Sequence, residues 1–210
     1  MTPPDWEDLQ DWLKARFWGV LAVLVLSAWG LHSWLTRPLD PPPGVLAPED
    51  PIQGPPASAA AWDYHDHRLV SLAAFELHGR VLSRERYRFD RAAELSPVDL
   101  AIGWGRMSDS SVLDRIKVRQ GDRWYYWSTS SFPIPEGEIT SHSANMHMIP
   151  ANAFVKRRLL SVRVGQVIHL RGRLVKAVGR DGWTWTSSLS RQDSGEGACE
   201  VIWVEDVDLG

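Results

Sequence analysis

Residues 17–35 read FWGVLAVLVLSAWGLHSWL, nineteen residues without Asp, Glu, Lys or Arg. At ~1.5 Å rise per residue, a helix of this length crosses a hydrocarbon core of ~30 Å. The core helix of a globular domain keeps a polar stripe. This run is apolar or small on every face until His32. Trp18 lies near one end and Trp29 and Trp34 near the other, where indole rings favour the water–lipid boundary. The stretch reads as a transmembrane helix in contact with the lipid bilayer. A cleavable signal peptide needs small residues one and three positions before its cut. Ser27-Ala28-Trp29-Gly30 meets that poorly, so the helix reads as an uncleaved signal anchor.

Residues 1–16 form a short charged arm before the span. Pro3 and Pro4 suit a first helical turn, and Asp5, Glu7 and Asp8 complement the positive end of the helix dipole. Trp6, Leu9, Leu13 and Phe17 share one face. The arm reads as the wet first turns of the membrane helix. Lys14 and Arg16 precede the span and Arg37 follows it. Counting Lys and Arg puts the N-terminus in the cytoplasm and the long remainder outside it.

Residues 36–60 read as a linker. Pro38 to Pro56 holds eight prolines in nineteen residues. Proline removes a backbone donor and fixes φ, so helix and central strand are excluded. An extended spacer at ~3.1 Å per residue is expected.

Residues 61–210 read as one β-rich domain. The whole chain carries a net charge of −3, but from Ser58 onward twenty basic residues face nineteen acidic ones. A domain this close to neutral lacks the basic surface of a nucleic-acid binder, and no nucleic acid is expected as a partner. The single cysteine, Cys199, excludes an intrachain disulfide. Stability must then come from the apolar core, to which most of the twelve Trp contribute.

Within the domain, Leu72 to Phe89 reads as a long strand with Gly79 as a bulge or bend, and Arg84, Arg86 and Arg88 on one solvated face. Leu95 to Gly105, LSPVDLAIGWG, reads as a short helix with Ser96 as cap and Pro97 in the first turn, stopped by Gly103 and Gly105. Asp109 and its serine neighbours cap a second short helix over 111–116. Gln120-Gly121-Asp122 marks a hairpin, with Trp124 and Tyr126 on one face and Tyr125 and Trp127 on the other. Glu138 to Pro150 reads as a strand, and Ala151 or Asn152 starts a helix whose apolar face is Phe154, Val155, Leu159 and Val162. Val164 to Val178 and Ala198 to Val207 read as strands, with a short returning strand through Trp183 and Trp185 between them.

The run Val164 to Val175, VGQVIHLRGRLV, resembles a strand of an oligonucleotide/oligosaccharide-binding barrel, with glycines at the bends. The resemblance covers a dozen residues. Together with the element count it implies a mainly β (α+β) fold: a single transmembrane helix, then a small β-barrel-like, OB-like domain with two or three short helices.

The chain holds no Walker A loop, dinucleotide fingerprint, HExxH or CxxC pair, and no cofactor or metal is expected. His65 and His67 alternate with Asp63 and Asp66 and could hold a metal from one strand face; a solvated loop is the plainer reading. Two segments are richer in polar groups than plain structure needs, LSPVDLAIGWG and SHSANMHMIPAN. They nominate Asp99, Trp104, His142, Asn145 and His147, with Ser187, as a candidate binding site. A buried polar group must find a partner or lose ~1–3 kcal/mol, so a satisfied network is the competing account. An enzyme alternative uses Cys199 as nucleophile with His142 or His147 as base. Cys199 among apolar neighbours reads more simply as a buried thiol. The expected function is binding of a protein partner of the cell envelope, or of a ligand, by a tethered extracytoplasmic module.

A reporter that works only outside the cytoplasm, fused after Gly210, should be active. A silent fusion with an active cytoplasmic reporter in its place would reverse the orientation.

Overall fold

The computed structural model describes residues 6–56, 60–193, 195 and 197–210. Pro3, Pro4 and Asp5 lie outside the described residues, as does Ser58. The chain divides into two compact units, Met1–Arg37 and Pro38–Gly210.

The first unit is one continuous helix, α1 (Trp6–Thr36). Its segment Gln10–Thr36 is long and apolar enough to cross a membrane. Trp18, Leu26, Trp29 and Trp34 are 64–69% exposed. Such an apolar wall is not tolerated in water, which fits a helix that anchors the chain in a membrane.

The second unit is mostly β with short helices. In chain order it contains β1 (Ile52–Gly54), β2 (Ala61–Tyr64), β3 (His67–Arg86), β4 (Val98–Gly103), a 3-10 turn (Gly105–Ser108), α2 (Ser110–Leu113), β5 (Lys117–Gly121) and β6 (Trp124–Ser128). Then follow α3 (Glu136–Ser141), β7 (Ser143–Pro150), α4 (Ala153–Ser161), β8 (Val167–Gly179), β9 (Thr184–Thr186) and β10 (Glu200–Leu209).

The twenty-residue β3 organises the sheet. Residues His67 to Arg80 pair antiparallel with β8, and Arg80 to Arg86 pair antiparallel with β4. β4 pairs with β7 antiparallel, β7 with β10 parallel, and β10 with β8 antiparallel. The pairing thus returns to β3 and closes a ring of five strands. β3 passes from one partner to the other at Arg80, and at the preceding Gly79 a Cβ would lie 2.4 Å from Ile102 Cγ2. Gly79 permits a close approach; the register shifts fall instead at Ser71/Ala73 and Val81/Ser83.

One face of the ring carries the main core: Phe75, Leu77, Leu100, Ile102, Met146, Met148, Leu170 and Ile202, closed by Val155 and Leu159 of α4. α4 starts where its sequence says. The Asn152 side chain accepts from the N–H groups of Phe154 and Val155. Phe154, expected on its apolar face, is 55% exposed. Arg84 and Arg86, expected on a solvated face, donate to the carbonyls of Val162 and Leu160 at the end of α4. Cations there satisfy carbonyls that the helix leaves unpaired. Only Arg88 of that ladder is exposed.

Two segments differ from expectation. Val98 to Gly103 is a strand, β4, with all six residues buried. Both its edges are paired and both its faces covered, so the tertiary ladder outweighs the local capping pattern. Ser96, expected as a cap, instead donates to Asp99 Oδ1 at 3.2 Å. Glu138 to Ser141 belongs to α3, not to a strand, and strand begins only at Ser143. The Pro-rich stretch also differs: it lies along the domain. Leu39 N–H donates to Val164 O at 2.8 Å, Gly44 N–H to Asp109 Oδ1 at 2.9 Å, and Leu46 and Ala47 N–H to Ser108 Oγ at 3.0 Å. β1 then pairs with β3. Proline excluded a central strand, but a strap running along a surface needs only some of its donors. Gly165 receives the strap: at φ +84°, its missing Cβ would sit 2.0 Å from the Leu39 carbonyl.

Trp104 is 1% exposed and joins the main core. Trp104→Ala should lower unfolding free energy by about 3–5 kcal/mol, whereas Trp124→Ala, on an outer hairpin face, should change it by less than about 1 kcal/mol. Denaturant titrations of the full chain in detergent micelles would measure both. Equal losses would contradict the assignment of Trp104 to the core.

Candidate functional site

The β5–β6 hairpin forms a sheet of its own, joined by the two-residue turn Asp122-Arg123 with φ of 52° and 69°. Positive φ at both turn positions matches the right-handed twist of the strands. Trp124 and Tyr126 face out, and Tyr125 and Trp127 face in, as the alternation predicts.

Arg123 fixes the hairpin tip. Its Nη1 donates to Asp99 Oδ1 at 2.8 Å and to Ser96 O at 3.0 Å, and its Nε and Nη2 grip the Asp90 carboxylate at 2.8 and 2.7 Å. The guanidinium lies 3.7 Å over the Tyr87 ring. Asp99 is fully buried and almost fully buried His147 is its second neighbour, with Nδ1 2.8 Å from Oδ2. That approach lies off the N–H direction, so neither atom makes a well-directed hydrogen bond. The His147 ring packs on Trp185 at 4.4 Å.

The candidate residues therefore do not form one pocket. Asp99 and His147 form a buried pair beneath the hairpin tip. Trp104 is in the core, 6.3 Å from the His142 ring. His142 is not on a strand; its Nδ1 lies 2.9 Å from Ser141 Oγ and 3.1 Å from Glu138 O. Ser187 donates to Ser188 O and accepts from Val201 N–H. His65 occupies a hairpin turn at φ 50° and faces Glu94, while His67 meets Trp183 edge to face. No cluster of three metal-ligating side chains occurs among the described residues.

Asn145 alone of the set lines a cavity of about 390 Å³ between the hairpin, the start of β7 and the start of β10. Trp124, Tyr125, Tyr126 and Trp127 wall it; Arg191, Asp193, Cys199 and Glu200 complete it. Asn145 accepts from Gln120 Nε2 at 2.6 Å and donates to Arg123 O at 3.0 Å and to Cys199 Sγ at 3.7 Å. The Cys199 thiol touches an amide, not an imidazole. Burial pushes it up to about 11, so it stays protonated at neutral pH and is a poor nucleophile.

Glu200 was not legible as a site residue, although an acid beside the apolar run VIWV was the signal for it. It is 1% exposed. Arg191 Nε pairs with its Oε1 at 2.7 Å, and its Oε2 has no hydrogen-bond partner. Burial is the main cause that raises its carboxyl to about 7, against the opposing pull of Arg191. No protein-family model, curated protein or solved structure matches this chain, so the site is argued from its own chemistry.

The pH dependence follows from Glu200. Between its ordinary value of 4.5 and about 7 the folded chain holds a proton that the unfolded chain releases. Stability from this group is therefore complete below pH 4.5 and is lost as pH rises toward 7. Relative to Glu200→Gln, the native chain should lose roughly 2–3 kcal/mol across that window. Denaturant titrations at a series of pH values would show it; parallel curves would mean that Glu200 is solvated.

Proposed function

We propose that this chain is a membrane-anchored extracytoplasmic module, an OB-like barrel on a transmembrane signal anchor, that binds a ligand or a segment of an envelope protein in the aromatic cavity. The observation that carries the reading is that cavity, with four consecutive aromatic residues of β6 and an incompletely paired buried carboxylate in its lining. Pockets of this kind are apolar with a few placed polar groups.

Support for the OB-like assignment comes from the strand ring. Taken in chain order, its strands β3, β4, β7, β8 and β10 are paired first to second, second to third, third to fifth, fifth to fourth and fourth to first. α4 lies between the third and fourth. In such barrels the second and third strands, with the loops after the first and fourth, form the binding face. The third strand and the connection before β10 line the cavity described above. Orientation rests on Lys14 and Arg16 before the span.

A fluorine label at Tyr126, with a second at Phe89, which is 97% exposed, tests the binding reading. In a chemically diverse fragment screen on the full chain in micelles, some compounds should shift Tyr126 and leave Phe89 unmoved. If every compound that shifts Tyr126 also shifts Phe89, or none shifts either, the cavity is not a ligand site.

A further inference from the structure

The polar lining says what the cavity selects, given the reading of it as a ligand site. Two carboxylates, Asp193 and Glu200, stand against one guanidinium, Arg191. Arg191 is not available to receive an anion. Its Nε pairs with Glu200, its Nη1 donates to Gln53 Oε1 at 3.0 Å, and its Nη2 reaches Ser188 O at 3.4 Å. Its guanidinium also lies 5.5 Å from the Phe75 ring. Each of the three nitrogens of this cation is thus already engaged by the protein.

The acceptors are not. Glu200 Oε2 has no donor, although the residue is buried. A buried acceptor left without a partner is costly, and most are filled in native proteins. Asp193 is exposed at the rim, with one oxygen accepting from Ser188 Oγ at 2.6 Å. Trp124 and Tyr126, 37% and 56% exposed, line the same cavity. Aromatic faces attract cations, most strongly where water is displaced. An anionic ligand would meet two carboxylates and no free donor cation. A neutral hydroxyl would fill Oε2 but leave the two carboxyl groups set against the single guanidinium of Arg191.

We propose that the ligand of this cavity carries a cationic nitrogen, an ammonium or guanidinium group, which seats against Trp124 and Tyr126 and pairs with Glu200 and Asp193. The same chemistry is offered by a lysine or arginine side chain of a partner segment and by a free polyamine.

The test uses the full chain in non-ionic micelles, labelled at Tyr126, and five probes at millimolar concentration. N-acetyl-lysine methylamide and N-acetyl-arginine methylamide stand for a partner side chain, and spermidine for a free polyamine. N-acetyl-norleucine methylamide is the neutral isostere, and N-acetylglucosamine the neutral hydroxylated control. At least one cation should bind roughly tenfold more tightly than the isostere, and the tighter of the two cation types identifies the source. Glu200→Gln should weaken that binding by about tenfold. Asp193→Asn, at the exposed rim where folding is not at stake, should weaken it by about threefold and reduce its salt dependence. If a neutral probe shifts Tyr126 as tightly as the cations, or if both variants bind cations unchanged, the cationic class is wrong and the cavity remains a ligand site. If no probe shifts Tyr126, the cationic class is wrong, and the fragment screen alone then decides the fate of the cavity.

Discussion

Asp99 has no exposure to water, and a carboxylate in that position must be answered by donors. Arg123 answers it from the tip of a hairpin that has no backbone pairing with the strand ring. Removing one partner of a buried pair leaves an uncompensated charge, a loss of about 3–5 kcal/mol. The pair therefore holds two things in register: the central strand β4 and the β5–β6 hairpin. The fork of Arg123 extends the hold to Asp90 and Ser96 in the connection before β4. The N–H of Arg123 donates to Tyr87 Oη, and its carbonyl accepts from Asn145. Little of the tip's polarity is left to solvent.

This clamp also makes the cavity. A hairpin tied only at its tip would swing, but Tyr125 Oη lies 3.2 Å from both Ser143 O and Ser143 Oγ, and Gln120 reaches Asn145. The hairpin thus stands over the first residues of β7, and the space beneath it is walled by aromatic rings. Asn145 sits at the junction of clamp and cavity, with its amide spent on Gln120, Arg123 and Cys199. Polar networks of this kind specify one arrangement when every member is satisfied. Two buried acceptors at this junction, Gln120 Oε1 and Glu200 Oε2, stay without a hydrogen-bond partner.

The strap shows a second use of backbone donors. Residues 39–47 give their N–H groups to Val164 O, Asp109 and Ser108, and Arg80, buried beneath them, holds Ser108 O and Ser110 Oγ. Asp109 serves both as the cap of α2 and as acceptor for Gly44. Its carboxyl is held below the usual range by the Gly44 N–H first and by Ser111 second. Residues 39–47 are thereby held along the domain.

Much of this was legible because it is local. Nineteen residues without a charge, a WYYW alternation after Gly-Asp, an Asn before an amphipathic turn and the long run after Val164 each follow from composition, periodicity or turn chemistry. LSPVDLAIGWG misled for the same reason: Ser96 and Pro97 imitate a helix start, while the ladders on both edges of β4 act from residues distant in sequence. Which side chains meet was decided only by strand register. Asp99 stands opposite His147, and Ala101 opposite Asn145, so one site residue went under the hairpin tip and its neighbour in the strand to the cavity. The parallel pairing of β7 with β10 set Glu200 opposite Met146. No spacing in a chain of 210 residues encodes that register, because it is fixed by the simultaneous burial of both strands' apolar faces.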